Sequence, residues 1–504
     1  MSLHLHPRRA FLKTALTGGA SLMLAEMGFL GALPAVSAAE AKLDSGRVRL
    51  DPEIEPLVRM IEETPRQKLL EEVGSRIRDG LSYQQLVTAL FLAGVRNIQP
   101  RPVGFKFHAV LVVHAAHLAS LASADRDRWL PVFWALDYFK DSQERNRREG
   151  NWSLGPVDEA SIPASHQAER RFIETMDNWD VAGADASVVG LARSATPRQI
   201  FELFCRYGMR DFREIGHKAI YVANSWRMLQ TIGWHHAEPV LRSLAYALLD
   251  HEGENPAKRD APPDRPFREN LSRAGEIKEG WMTGSPQQEA SVEMLRTLRA
   301  GSTGDACARG IELLNSGVAP ASLWHSVFQG AGELLMRSPG IGSLHAVTSA
   351  NALCFAFQQA ASDHTRRLLL LQALAFMTLF RGAPRKGDAA RIDEFSPAEG
   401  ADSKPDLEAV FVAISGNKLE AARKALAYLQ QGGNAKAFVS RARHLVFLKG
   451  RDAHDYKFSS AVLEDYHQLP PGMRDRYLAS SVFQLRGAKD EDNELVQRTR
   501  AALA

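Results

Sequence analysis

Residues 368–379 have the sequence Leu-Leu-Leu-Leu-Gln-Ala-Leu-Ala-Phe-Met-Thr-Leu, a nearly uninterrupted apolar run. A run of this length without glycine or proline predicts a helix that is buried on all sides. Apolar residues at helical spacing recur in residues 86–94 and 241–249. Alternating apolar and polar residues joined by Asn-Gly or Asp-Gly turns, which indicate β-hairpins, are nearly absent. We therefore predict an all-α fold.

A second pattern recurs along the chain at a separation of 237 residues. Residues 79–86 (Asp-Gly-Leu-Ser-Tyr-Gln-Gln-Leu) correspond to residues 316–323 (Ser-Gly-Val-Ala-Pro-Ala-Ser-Leu). Further on, Phe-His-Ala-Val at 107–110 corresponds to Leu-His-Ala-Val at 344–347. Such self-similarity is the signature of repeated structural units. It predicts a large helical body built by internal duplication from two similar helical halves.

The predicted domain organisation follows from this repeat and from the length of the chain. A chain of 504 residues is too long for one small core. We predict a first helical half at residues 76–290 and a second at residues 291–504, preceded by an N-terminal extension at residues 39–75. Clefts between helices or domains are common sites for small molecules, so we expect a pocket where the halves meet.

The first 38 residues predict export. Residues 7–13, Pro-Arg-Arg-Ala-Phe-Leu-Lys, resemble the twin-arginine signal pattern, with proline where serine or threonine is usual. An apolar stretch at residues 14–35 and the small residues Val-Ser-Ala at 36–38 complete a cleavable signal peptide. An uncleaved anchor helix is the alternative, but Glu26 and the glycines Gly18, Gly19 and Gly28 weaken it. We predict the twin-arginine translocase as a partner, no stable membrane insertion after cleavage, and a periplasmic or secreted protein.

Composition and missing motifs argue against several classes of protein. With 62 basic and 59 acidic residues, the charge is balanced, which argues against nucleic acid as a partner. The three cysteines are too few for a disulfide framework and are better explained as buried thiols. Rossmann, Walker-type, His-Glu-x-x-His and Gly-x-Ser-x-Gly motifs are missing from the sequence. The common nucleotide-binding and hydrolase classes are therefore disfavoured.

Four histidines follow the repeat. His108 and His345 are 237 residues apart, and so are His217 and His454. Imidazole titrates near neutral pH and binds iron, copper or zinc. If the rings converge, these four residues are candidate catalytic residues and metal ligands; otherwise they are hydrogen-bonded core residues. Lys457, one helical turn after His454, is a further candidate: this His/Lys pair either orients an anionic or phenolate substrate or is a solvated surface pair.

Other polar residues near these histidines have less specific interpretations. His114 and His117 share one face of a helix and form either a structural pair or half of a metal site. Asp452 and Asp455 flank His454, and either carboxylate could fix the tautomer of its ring.

The four histidine-centred segments also resemble a known family. They are His-Ala-Val at 108–110, His-Lys-Ala-Ile-Tyr at 217–221, His-Ala-Val-Thr at 345–348 and Asp-Ala-His-Asp-Tyr-Lys at 452–457. In short patches across residues 75–485, the chain is similar to the questin oxidase-like family. The resemblance implies a helical, oxygen-using enzyme that opens or oxygenates aromatic polyketide-like rings with reduced nicotinamide as electron donor. This chain is longer than that family and carries an export signal.

Export changes the expected cofactor. Outside the inner membrane there is no supply of reduced nicotinamide, so an exported relative needs a metal, another electron source or a reaction that takes its electrons from the substrate. We predict an exported helical oxidoreductase, monooxygenase-like by resemblance, with a histidine-lined pocket, a small-molecule substrate that is aromatic by that resemblance, and a transition-metal ion as candidate cofactor. The alternative is a non-enzymatic periplasmic helical binding protein whose histidines are structural.

Overall fold

Helices make up nearly all the regular secondary structure in residues 46–382, 390–397 and 406–504, the ranges described by the computed structural model. In these ranges the only β-type pairing is an isolated bridge between Ser285 and Val318. The predicted all-α fold is confirmed. The α-helices are α1 Glu55–Glu63, α2 Arg66–Arg78, α3 Tyr83–Asn97, α4 His108–Leu111, α5 Val113–Ala122, α6 Leu130–Arg148, α7 Ser165–Asp177, α8 Val181–Ser194, α9 Pro197–Gly208, α10 His217–Ile232, α11 Ala237–Leu248, α12 Arg265–Arg273, α13 Gln288–Ala300, α14 Thr303–Asn315, α15 Pro320–Arg337, α16 Ile341–Gln359, α17 Asp363–Arg381, α18 Leu407–Ile414, α19 Lys418–Gln430, α20 Ala435–Lys449, α21 Ala453–Asp465, α22 Pro471–Ser480 and α23 Leu495–Leu503.

The apolar run at 368–379 forms the central part of α17, as predicted. Residues 368–378 are all buried, because α14, α15 and α16 pack around this helix. Ser362 caps its N-terminus by accepting a hydrogen bond from the backbone N–H of Thr365. Burial on all sides explains why this helix has no polar stripe in its middle.

One hydrophobic core runs through residues 47–504, which form a single compact unit. It reaches from Val58 in α1 to Ala502 in α23, and α23 packs against α2. The structure does not show the predicted internal duplication, so the halves 76–290 and 291–504 remain a prediction. Part of the predicted extension, from Glu55 onward, forms α1 and most of α2. The predicted signal at residues 1–38 lies outside the described residues.

The three cysteines, Cys205, Cys307 and Cys354, are free and buried, as the sequence indicated. Among the described helices, none taken alone has the length and apolar character needed to cross a membrane. One pair, residues 105–111 and 113–122, meets that test only when taken together, and it is bent by 42°.

Candidate metal centre

The four predicted histidines all stand near the N-terminal ends of helices. His108 opens α4, His217 opens α10, His454 is the second residue of α21 and His345 is the fifth residue of α16. Helix α16 packs against both α10 and α21, and α4 also contacts α10 and α21. The N-terminal ends of these helices therefore lie close together, and so do the histidines that they carry.

The imidazole rings converge to hydrogen-bonding distance. The Nε2 atom of His217 lies 2.9 Å from Nε2 of His108 and 2.9 Å from Nε2 of His345. The ring centroid of His454 is 4.6 Å from that of His108 and 5.3 Å from that of His345. Three of the rings are buried, whereas 22% of the His454 side chain is exposed. The structure thus places all four predicted site histidines together.

The outer nitrogens of three rings fix the tautomers. Nδ1 of His108 bonds the carbonyl oxygen of Phe105 at 2.9 Å, and Nδ1 of His217 bonds that of Glu214 at 2.6 Å. Nδ1 of His345 bonds the carbonyl oxygen of Ile341 at 2.7 Å. A carbonyl oxygen can only accept a hydrogen bond, so each Nδ1 is the protonated donor. In the neutral rings, every Nε2 therefore presents a lone pair to the centre of the cluster.

Facing lone pairs repel one another unless a cation lies between them. A proton is one such cation, but burial opposes it by lowering the pKa of all three rings. Burial lowers the pKa of His345 to about 2, with Lys457 as the next contribution, and it holds those of His108 and His217 well below their usual value. The rings are therefore neutral at physiological pH. A metal ion is the cation that suits three neutral, converging imidazoles.

The spacing of the nitrogens fits a metal ion. Two nitrogens bound at about 2.05 Å and at right angles to each other are about 2.9 Å apart, whereas a tetrahedral pair is about 3.4 Å apart. The two Nε2–Nε2 distances of 2.9 Å are short enough for each pair of nitrogens to bind one ion. One ligand atom from each of His108, His345 and His454 also lies within 4.8 Å of the others. A cluster of neutral imidazoles would suit zinc, copper, iron or nickel.

Strained backbone holds two of the carbonyl acceptors. Phe105 has φ +46° and Glu214 has φ +55°, and Ile215 beside it has φ +45°. Left-handed conformations cost L-residues roughly 1–2 kcal/mol each, and they persist where the surrounding structure imposes them. Each strained turn comes three residues before a site histidine, at the distance from which its carbonyl reaches Nδ1.

Two glycines make the close packing around His217 possible. A Cβ atom added to Gly104, which has φ +144°, would lie 3.3 Å from Cε1 of His217. A Cβ atom added to Gly216, which has φ +81°, would lie 2.1 Å from Oγ of Ser349 on α16. A side chain at position 104 would press against the ring of His217. A side chain at position 216 would collide with Ser349 and move the backbone that carries His217.

A buried set of charged residues anchors the turn before His217. Lys218, fully buried, donates to Asp211 at 2.9 Å and to the carbonyl oxygen of Asp250 at 2.8 Å. Arg213 donates to both carboxylate oxygens of Asp264, at 2.5 and 2.8 Å. These bonds fix both ends of the strained segment 213–216. Sequence reasoning missed this network, because two of its contacts, Lys218 to Asp250 and Arg213 to Asp264, join residues that are 32 and 51 positions apart.

Lys457 lies one turn below His454 and is almost completely buried. Among the described residues its Nζ has no hydrogen-bond partner. Burial lowers the pKa of Lys457 to about 7, and Asp452 opposes that shift. After burial, the charge of Lys457 is the next cause that lowers the pKa of His108, His217 and His345.

The two aspartates beside His454 have different contacts. Oδ1 of Asp452 lies 3.3 Å from Nδ1 of His454, so this carboxylate can orient the ring and leave Nε2 free. Asp455 instead binds Arg486 through both carboxylate oxygens, at 3.1 and 2.7 Å. Of the two candidates for fixing the tautomer, the structure supports Asp452 alone.

His114 and His117 do not join the centre. Their rings are 6.5 Å apart, and Nδ1 of His117 bonds the hydroxyl of Tyr83 at 3.1 Å. His114 is buried, and neither of its ring nitrogens has a hydrogen-bond partner among the described residues.

Comparison with known proteins found no relative: no family model, no curated protein and no solved structure matches the chain.

Proposed function

We propose that this protein is an exported, metal-dependent oxidoreductase that acts on a small substrate, and that His108, His217, His345 and His454 bind its transition-metal ion. The proposal rests on one observation above all: three Nε2 lone pairs converge while their Nδ1 atoms are held by backbone carbonyls. Histidine ligands of metals commonly donate their second nitrogen in this way. In a purely structural cluster we would expect each buried Nε2 acceptor to face a hydrogen-bond donor, because facing lone pairs repel one another.

Each residue of the site has a role in this proposal. The four histidines would hold the ion, and Asp452 would orient the ring of His454 from the partly exposed side. When bound, a transition metal supplies Lewis-acid and one-electron chemistry. Lys457, with a pKa of about 7, can take up or release a proton near the reacting atoms at physiological pH.

We propose that the substrate approaches the centre along an apolar rim formed by Phe105 and Ile341. Phe105 and Ile341, whose carbonyls hold His108 and His345, have side chains that are 64% and 54% exposed. Exposed apolar side chains beside a partly open polar centre are typical of a site that receives an apolar or aromatic body. This rim agrees with the aromatic substrates that the questin oxidase-like resemblance implies.

The export signal at residues 1–38 fits this function. The twin-arginine route carries folded proteins, which allows the metal to be loaded before export. Because reduced nicotinamide is not supplied outside the inner membrane, we propose that the electrons come from the substrate or from another donor.

Turnover by the metal-loaded protein tests the proposal. We expect oxygen uptake that depends on a phenolic or quinone-type substrate and that is lost in His217→Asn. His235→Asn, at an exposed histidine outside the centre, is the matched control and should keep both metal and turnover. Turnover that survives in His217→Asn would refute the assigned site. A folded protein that binds small molecules but takes up no metal and oxidises none of them would favour the binding-protein alternative.

A further inference from the structure

The helices that carry the histidines continue past the centre and line a small, partly open cavity. Residues about three, seven and ten positions after a helical residue fall on the same face of the helix. Counted from His217 and His454, these positions are Ile220, Asn224, Arg227, Lys457, Ala461 and Glu464, and all six line one space. His114 and Asn351, each six positions after a site histidine, also line it, so that much of its wall is polar. The cavity therefore lies directly below the histidines, one to three helical turns along the same bundle.

The cavity is small. Its free volume is about 30 Å³. One water molecule needs roughly 10–15 Å³ on this scale, so there is space for about two or three non-hydrogen atoms. Alanines, Ile220, Thr348 and Ser460 form the remaining walls. A whole aromatic ring does not fit, whereas a small ion or one end of a larger molecule does.

Two buried polar groups face this space without a partner. Neither Nζ of Lys457 nor either ring nitrogen of His114 has a hydrogen bond to a described residue. Both side chains are more than nine-tenths buried. Leaving a buried donor unsatisfied costs about 1–3 kcal/mol, and more when the group is charged. Two such groups lining one cavity indicate that something besides protein is bound there.

The charges of the wall indicate the sign of that ligand. The carboxylate of Glu464 is already bound by Arg227 at 2.9 Å and by the Asn351 amide at 3.0 Å. Arg227 also donates to the amide oxygen of Asn351 at 3.1 Å. The carboxylate of Glu464 therefore already has hydrogen-bond partners, whereas the amine of Lys457 and the imidazole N–H of His114 have none among the described residues. That pairing suits an acceptor with negative charge.

We propose that this cavity binds a small monovalent anion, with the shape of a carboxylate, between Lys457 and His114. Two sources share this chemistry: a free ion of the size of formate, or the carboxylate end of a substrate whose body lies at the histidine centre. Only the second source depends on the proposed function.

Titration of formate into the full-length, metal-stripped protein tests the site. At constant ionic strength we expect saturable binding of one formate per chain by calorimetry. Lys457→Met and His114→Leu should each weaken it at least tenfold. Lys140→Met is the matched control, because Lys140 is also buried but its ammonium is bound by the carbonyls of Ile61 and Glu62 and by Gln143. The control should bind formate as the unaltered protein does.

The outcomes separate this inference from the proposed function. His217→Asn should abolish metal uptake and leave formate binding unchanged. If metal binds but formate does not saturate, or if both cavity variants bind it normally, the anion site is refuted and the metal centre stands. If formate binds but no metal does, the proposed function fails instead. Larger carboxylates that bind only to metal-loaded protein would identify the substrate's own carboxylate as the ligand, and binding of formate alone would identify a free ion.

Discussion

Replacing Lys457 with methionine should stabilise the metal-free protein, an unusual result for a buried residue. The unfolded chain has an ordinary lysine pKa of 10.5, whereas burial lowers the pKa in the folded protein to about 7. Between pH 7 and pH 10.5, Lys457 is therefore mostly protonated in the unfolded chain and mostly neutral in the folded protein. The resulting penalty is fully present below pH 7 and fades as the pH rises towards 10.5. At 1.36 kcal/mol per pKa unit it amounts to about 4 kcal/mol at pH 7 and about 2 kcal/mol at pH 9.

Urea unfolding of the metal-stripped protein, in buffers without small carboxylates, measures this difference. Methionine fills a similar volume without the amine, so Lys457→Met should raise the free energy of unfolding at pH 7, and the gain should halve at pH 9. Lys140→Met is again the control: its ammonium has three oxygen partners, so its loss should destabilise the protein by about 1–3 kcal/mol. A Lys457→Met protein that is less stable than the unaltered one, equally at both pH values, would show that the amine has a partner and that this reasoning is wrong.

Three further predictions concern the surroundings of the centre and export. Asp452→Asn removes the carboxylate beside Nδ1 of His454 and should weaken metal binding about 10–100-fold, measured by competition with a chelator, with little change in thermal stability. Gly216→Ala places a Cβ atom 2.1 Å from Oγ of Ser349 and should lower both the free energy of unfolding, by about 1–3 kcal/mol, and the metal content; normal values of both would refute the packing argument. Replacing the Arg8-Arg9 pair with two lysines should keep the protein in the cytoplasm, as cell fractionation would show; continued export would remove the twin-arginine assignment.

Periodicity in the sequence predicted the main features of the fold. The apolar run at 368–379 forms a buried helix because burial on all sides leaves no requirement for polar residues there. The repeat spacing predicted that four of the sixteen histidines share one site, and the structure places those four side by side. The internal duplication on which that prediction was based is not shown by the structure.

Other features of the site could not be predicted from the sequence. The carbonyls of Phe105 and Glu214 act through backbone conformation, and no residue type encodes a carbonyl acceptor. The nearby glycines, Gly104 and Gly216, were the one available signal, because glycine next to a candidate ligand indicates a tight turn. Lys457 was chosen for its spacing from His454, but its burial without a partner depends on helices that are far apart in the chain.

The central claim is that converging Nε2 atoms bind one metal ion. X-ray absorption at the metal edge, on protein purified from its native compartment, tests it most directly when combined with elemental analysis. The account predicts one transition-metal ion per chain, with a first shell of histidine nitrogens at about 2.0–2.1 Å that is lost in His217→Asn. Protein without stoichiometric metal, or a metal whose first shell is unchanged in His217→Asn, would contradict it.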